Sequence, residues 1–470
     1  MFGLDPGLTL VLILCLLAAC AFEFINGFHD TANAVATVIY TNSLKPMTAV
    51  IWSGICNFIG VYFGGIAVAM GIVHLLPNAL LLDQSVSHIV ALLSAVILTS
   101  ILWNLGTWYF GLPCSSSHTL LGSIFGVGLA YSFISDTGVA LNWGKVKDIL
   151  LALLISPVIG FSLTMAMVAL LKKVVKKKRK LFAEPSKKKA PPLGIRSLII
   201  LSSTFVSYTH GSNDGQKGVG LIMIILISLV PVHFALNHQK NPQDLLGHVN
   251  RLEASVMSID SAKMGALDRS SFMVVEENID KIQSMLTNQT DFKKLEKKEH
   301  YEIRKDIMVL SSEVNQIFVR HLDEREFYVS KDKKSAINKE IKEMTRFTEY
   351  SPWWVILLIS VSLGLGTMIG WKNIVVTIGE KIGHSQLTYA QGFSSQIVTA
   401  TTIGASSLLG LPVSTTHVLS SGVAGSMVAA KGLKNLRMKT VKSILIAWLV
   451  TLPVTIVVSG GLFLLIRLFL

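Results

Sequence analysis

Two short segments of this chain set hydroxyls beside an imidazole in the same order. Gly111-Leu112-Pro113-Cys114-Ser115-Ser116-Ser117-His118-Thr119-Leu120 recurs 299 residues later as Gly410-Leu411-Pro412-Val413-Ser414-Thr415-Thr416-His417-Val418-Leu419, with six of ten positions identical and two more exchanging serine for threonine. Gly-Leu-Pro ends one element. Ser115, Ser116 and Ser117, or Ser414, Thr415 and Thr416, can then cap the next helix while its first N–H groups stay exposed. Two such helix ends facing one another form an anion cradle of hydroxyls and amides. That suits a tetrahedral oxyanion that has to be released again, since a dense arginine cluster would hold it tightly. His118 and His417 lie one turn further in, where contact with a substrate, proton handling and a structural hydrogen bond are all open to them.

A second pair of segments centres on aspartate. Asn26-Gly27-Phe28-His29-Asp30-Thr31-Ala32-Asn33-Ala34 is answered by His210-Gly211-Ser212-Asn213-Asp214-Gly215-Gln216-Lys217-Gly218. A carboxylate in apolar helix costs several kcal/mol to keep ionised in lipid, so Asp30 and Asp214 are expected to face the protein interior or a water-filled path and to act there. Gly27, Gly211, Gly215 and Gly218 can break a helix and bring backbone close to a ligand. Asn26, His29, Thr31, Asn33, Asn213 and Gln216 add donors and acceptors. Lys217, three residues beyond Asp214, can pair with it, contact an anion or snorkel. No Walker-type glycine loop, HExxH or dense carboxylate cluster occurs in the sequence, which argues against an ATP-driven pump and, with it, against an enzyme.

These residues need a membrane scaffold to hold them. Apolar residues make up 51% of the chain and charged residues 15%, with a mean hydropathy of +0.56, where a soluble domain carries about a quarter charged residues. The segment Ala235–Tyr350 holds 20 of the 29 acidic residues, leaving only Asp5, Glu23, Asp30, Asp83, Asp136, Asp148, Glu184, Asp214 and Glu380 elsewhere. Between these run blocks long enough to cross a bilayer, approximately Leu8–Phe24, Val50–Leu76, Ile89–Phe110, Ile149–Leu171, Trp353–Ile369 and Ile444–Ile466. Shorter or interrupted stretches bring the expectation to about ten to twelve membrane elements. Asp5 in place of a basic leader argues against a cleaved signal peptide. Cys15, Cys20, Cys56 and Cys114 lack ligand spacing and read as small buried residues.

The formal charge of +13 comes largely from a run beginning Lys172, Lys173, Lys176, Lys177, Lys178, Arg179 and Lys180 and continuing through Lys187, Lys188, Lys189 and Arg196. It directly follows an apolar block, so it reads as a cytoplasmic flank and not as a nucleic-acid surface. Lys431, Lys434, Arg437, Lys439 and Lys442 act likewise before the last span, placing both termini outside. Each half then carries an aspartate motif followed by a hydroxyl–histidine motif and crosses an odd number of times, an inverted repeat of the secondary-transporter kind. Asp30 and His118 are 88 residues apart, whereas Asp214 and His417 are 203 apart, so a segment was inserted into the second half. The expected organisation is a first membrane repeat over 1–171, a basic linker over 172–194, the start of the second repeat over 195–234, a soluble, cytoplasmic helical insertion over 235–350 and the rest of the repeat over 351–470. Helical spacing is read from Asp244 to Leu286, through Leu246, Val249, Leu252 and Val256, and again from Glu302 to Val319. The fold class is an all-α polytopic membrane protein with broken helices. An anion channel or a membrane enzyme is the rival of a different class.

The four motifs in this order closely resemble those of the PiT family of inorganic phosphate transporters. Gly27-Phe28-His29-Asp30-Thr31-Ala32-Asn33-Ala34 and Gly211-Ser212-Asn213-Asp214 look like its two aspartate signatures. His29 and Gly215-Gln216-Lys217 are similar to the bacterial low-affinity branch. The resemblance implies multi-pass residence in the bacterial inner membrane and phosphate carried by alternating access. It implies cargo in the form of neutral complexes with Mg2+, Ca2+ or Zn2+, in symport with H+. Sodium-coupled relatives, often homodimers, imply Na+ as the alternative ion, and their ligands transfer onto Asp30, Asn33, Asp214, Ser115, Ser116, Ser117, Ser414, Thr415 and Thr416. His29 and Lys217 depart from that sodium pattern. Gln396 and Thr399, ahead of the second hydroxyl motif, are further candidates. Phosphate contacts are expected from the six hydroxyls with Asn33, Asn213 and Lys217, and ion coupling from Asp30, Asp214, His29, His118 and His417. On chemistry alone, sulfate fits the cradle as well.

Overall fold

The structure is a computed structural model describing residues 2–76, 86–112, 114–134, 141–175, 179–186, 189–259, 264–321, 329–369 and 382–470. Pro113, Asp83, Asp136, Lys176, Lys177, Lys178, Lys187, Lys188 and Glu380 lie outside the described residues. The chain forms two compact units, one of Pro6–Ile225 with Ser351–Leu470 and one of Met1–Asp5 with Leu226–Tyr350. The second begins earlier than the boundary at 235 read from charge.

Helices α1 Pro6–Tyr40, α2 Pro46–Phe63, α3 Ala67–Val73, α4 Val86–Tyr109, α5 Ser116–Ile134, α6 Trp143–Val174 and α7 Leu193–His210 lead to a π-helical turn at Gly211–Gly215 and then to α8 Gln216–Leu229. Next come α9 Pro242–Met257, α10 Ala266–Leu286, α11 Lys297–Arg320 and α12 Lys331–Thr345. The chain ends with α13 Trp353–Thr367, α14 Tyr389–Leu408, α15 Thr415–Lys431 and α16 Met438–Phe469. Among the described residues six helices, α1, α2, α4, α5, α6 and α16, have the length and hydropathy to cross a bilayer. Helices α7, α14 and α15 carry Ser, Thr and Gly for the motifs, which lowers their hydropathy.

The two halves of the membrane unit pack by exchange. Helix α5 lies on α16 of the other half and α15 on α6, while α1 lies on α13 and α2 on α7. Gly126 and Gly425, equivalent in the repeat, make the first two contacts close. A Cβ on Gly126 would sit 2.1 Å from the Ile456 carbonyl oxygen, and one on Gly425 would sit 2.2 Å from that of Phe161. Gly111 and Gly410, also equivalent, both turn the chain ahead of the hydroxyl motifs with φ of 64° and 68°, which only glycine adopts cheaply.

Several sequence expectations are corrected here. The block Leu8–Phe24 is only part of α1, which runs unbroken through Gly27 and Asp30. Gly27 serves close packing instead of a helix break, because a Cβ there would lie 2.6 Å from the Leu363 carbonyl oxygen. The second aspartate motif does leave α geometry, through the π turn. In the other unit, the helical spacing read over Asp244–Leu286 belongs to two helices, α9 and α10, and Leu245 sits in the core where Leu246 is only partly buried. Helix α12 was not anticipated, because among its lysines and glutamates only Ile337, Ile341 and Met344 supply the core face.

That unit is a helical bundle closed at its base by Arg304. Its buried Nη1 donates to the carbonyl oxygens of Ala235 at 3.1 Å and Thr348 at 2.8 Å. The Asn237 N–H donates to the Phe347 carbonyl at 2.8 Å, so entry and exit strands of the chain meet. Burial lowers Arg304 to about 10, which leaves it charged at neutral pH. The four cysteines are all free.

Candidate substrate and coupling site

Helix α1 and the π turn bring Asp30 and Asp214 to the N-terminal ends of α5 and α15. Both carboxylates are buried, as are all six motif hydroxyls. Asp30 Oδ2 accepts from Ser116 Oγ at 3.0 Å, and Asp30 Oδ1 accepts from Thr416 Oγ1 at 2.6 Å. One aspartate therefore ties a hydroxyl of each half. Asn33 donates to Asp30 Oδ1 at 3.3 Å and to Thr416 Oγ1 at 3.0 Å. Asp214 Oδ2 accepts from Thr415 Oγ1 at 3.4 Å. Lys217 Nζ donates to Asp214 Oδ1 at 2.6 Å, to Val413 O at 3.2 Å and to Ser117 Oγ.

Ser115 and Ser414 cap the two helices, accepting the N–H of His118 and of His417 at 3.2 Å each. Such caps contribute about 1 kcal/mol each. The His118 and His417 rings lie 4.4 Å apart, and His417 stacks on Trp448 at 3.8 Å. His29 bridges Asp30 Oδ1 at 3.4 Å and Thr107 Oγ1 at 3.3 Å.

Other candidates brace the scaffold. Asn213 donates to Ser407 Oγ and Leu411 O and accepts from the Val413 N–H, so both ends of its amide hold the loop before α15. Gln216 ties Ser212 and Gly64 to Val68. Gln396 accepts from Ser202 and donates to Ala34 O. Thr31 donates to Gly27 O and Thr367 O. Asn26 donates to Glu23 Oε1 at 3.0 Å. Thr399 is buried, its hydroxyl without a hydrogen-bond partner among the described residues.

Two residues at the site escaped the sequence reading. His210 Nε2 lies 3.5 Å from Asp214 Oδ2 and 3.8 Å from Asp30 Oδ2. Its Nδ1 donates to Asn57 Oδ1 at 2.9 Å, an amide oriented by its own donation to Thr367 Oγ1. Nε2 is thus left to meet the carboxylates as a proton donor or to join them as a cation ligand. The ligand atoms of Asp30, His210 and Asp214 all lie within 4.8 Å of one another, a set able to hold a divalent ion. The signal was present in the sequence, since His210 precedes Asp214 by one helical turn. Glu23 is fully buried two turns before Asp30, with Oε2 lacking a hydrogen-bond partner among the described residues. It had been counted only as one of nine scattered acids.

The model of the Phosphate transporter family matches residues 26–459. The low-affinity inorganic phosphate transporter PitA of Escherichia coli (strain K12) is 40% identical, the match covering 98% of this chain and 97% of that protein. A low-affinity inorganic phosphate transporter of Buchnera aphidicola subsp. Acyrthosiphon pisum (strain APS) is 41% identical over the same shares. Among solved structures, one titled "The sodium-dependent phosphate transporter" aligns with a TM-score of 0.53 and 22% identity, covering 98% of this chain and 100% of that one, a likeness of fold.

Proposed function

The chain belongs to the phosphate transporter family, and we propose that it is a low-affinity inorganic phosphate symporter, driven by protons and carrying phosphate together with a divalent metal. The observation that carries this reading is the sharing of Asp30 between Ser116 of one half and Thr416 of the other. A ligand that takes those hydroxyls changes what holds the halves together, which is the requirement for exposing one site alternately to two sides.

The electrostatics explain why the anion needs a companion. Two unit charges ~4 Å apart repel by about 4 kcal/mol at an effective dielectric of about 20. A phosphate dianion meets that cost beside Asp30, whereas the Lys217 ammonium already offsets Asp214. A divalent cation held by Asp30, His210 and Asp214, or a proton on one of these groups, removes it and at the same time links the ion to the substrate. The hydroxyls of Ser116, Thr415 and Thr416 then turn from the carboxylates to phosphate oxygens, while Ser115 and Ser414 keep the helix ends in place. The basic flanks favour a cytoplasmic linker with both termini outside.

The test is uptake of labelled phosphate into liposomes holding the purified chain, with and without magnesium, and with sulfate as competitor. Saturable uptake that magnesium raises and sulfate leaves unchanged is expected. Sulfate competing equally would overturn the substrate, and uptake indifferent to magnesium would overturn the metal complex.

A further inference from the structure

The two aspartate sites are equivalent in the repeat, and one difference between their partners is a buried ammonium. Ser116 and Thr415 are equivalent, and each donates to the aspartate of its own half. Thr416, equivalent to Ser117, donates directly to Asp30 of the opposite half. The matching contact would run from Ser117 to Asp214. Ser117 instead donates to Val413 O at 2.8 Å, and the Lys217 ammonium stands between Ser117 and Asp214.

Lys217 is the equivalent of Asn33, three residues after its aspartate. It is 1% exposed, and its ammonium is met by a carboxylate, a hydroxyl and a backbone carbonyl oxygen. Hard oxygen donors of these three kinds, converging on a single positive charge, are what a monovalent alkali cation takes in a protein. An anion contact would need the ammonium directed toward open space, whereas all three of its N–H bonds have an acceptor here.

We infer that the Lys217 ammonium is a tethered replacement for an alkali cation, filling a site formed by Asp214 Oδ1, Ser117 Oγ and Val413 O. Asp214 Oδ1 thereby keeps its positive partner through the whole transport cycle, and the cation that exchanges is left to Asp30, His210 and Asp214 Oδ2. This rests on the symport reading, and it adds that removing the ammonium uncovers a latent alkali-cation site.

The experiment uses the purified full chain as wild type, Lys217→Asn, Lys217→Gln, and Lys217→Asn combined with Asp214→Asn. Thermal unfolding is measured in sodium chloride and in choline chloride, followed by phosphate uptake in liposomes in the same two salts. Wild type is expected to unfold at the same temperature in both. Lys217→Asn is expected to gain a sodium-dependent rise in Tm and a several-fold sodium stimulation of uptake, and the double variant to lose both. If the single variants unfold early in choline and recover in sodium, the inference is supported, because sodium then takes the place of the lost ammonium. If both behave alike in the two salts, folded or not, it is overturned. Failure of wild type to carry phosphate would strike the symport reading instead, since the Tm comparison does not depend on substrate.

Discussion

The two halves of the membrane unit repeat their hydroxyl motifs closely but not their aspartate motifs. On one side, Ser115–His118 and Ser414–His417 cap their helices in the same way, after the same left-handed glycine turn. On the other, Asp30 sits in an unbroken helix among Ser116, Thr416, Asn33 and His29, while Asp214 sits in a π turn beside Lys217 and His210. An anion with equivalent oxygens can be held by a symmetric cradle. The charged groups around the two aspartates differ in kind and geometry, and that is where the halves diverge.

The comparison breaks first at the aspartates. Asp214→Asn leaves the Lys217 ammonium buried without its carboxylate, and breaking such a pair costs about 3–5 kcal/mol. Loss of uptake together with a clear fall in Tm is expected. Asp30→Asn removes the charge that Ser116, Thr416 and Asn33 donate to, and one of its two accepting oxygens, without stranding a lysine, so uptake should fall by about 100-fold, in line with charged hydrogen bonds of about 1.5–3 kcal/mol, with a smaller loss of Tm. Equal Tm losses in the two purified variants would remove the asymmetry.

Glu23 has Ser207 at the equivalent place in the other half. If its carboxyl takes part in coupling, Glu23→Gln lowers accumulation driven by a pH gradient while exchange of internal for external phosphate is retained. Loss of both activities would make Glu23 a packing residue.

Among the described residues, the inserted helical bundle belongs to the second half. Because Asn237 and Phe347 already meet, replacing Asn237–Thr348 by a short flexible link should keep detectable uptake. A folded, membrane-inserted truncation with no uptake would give that unit a central role. Within the unit, burial pushes Asp306 up to about 6, against the opposing effect of Lys281 and Lys305. A carboxyl whose folded pKa is raised loses stability as pH climbs from the unfolded value toward the folded one. Asp306→Asn should therefore raise the unfolding temperature of this unit at neutral pH and leave it unchanged in acid below the ordinary carboxylate range.

Much of this was legible in the residues. The repeated hydroxyl–histidine segments announced two equivalent helix starts, and the cost of a carboxylate in lipid singled out Asp30 and Asp214. Partners across the halves were not legible, because Thr416 and Asp30 meet only through the exchange packing of α5, α6, α15 and α16. Asn213 and Gln216 share the polarity of the residues around the carboxylates, and only the packed neighbours show that they brace loops. Gly27 was misread for a related reason, since a glycine at a helix crossing and one at a helix break look the same in sequence.

On the proposed reading, a proton gradient drives phosphate through this site. Purified protein in sodium-free liposomes, with magnesium present and the outside made acidic, should accumulate phosphate against its gradient and lose that accumulation when a protonophore collapses the pH difference. Accumulation that ignores the pH gradient and appears only when inward sodium is supplied would contradict the account.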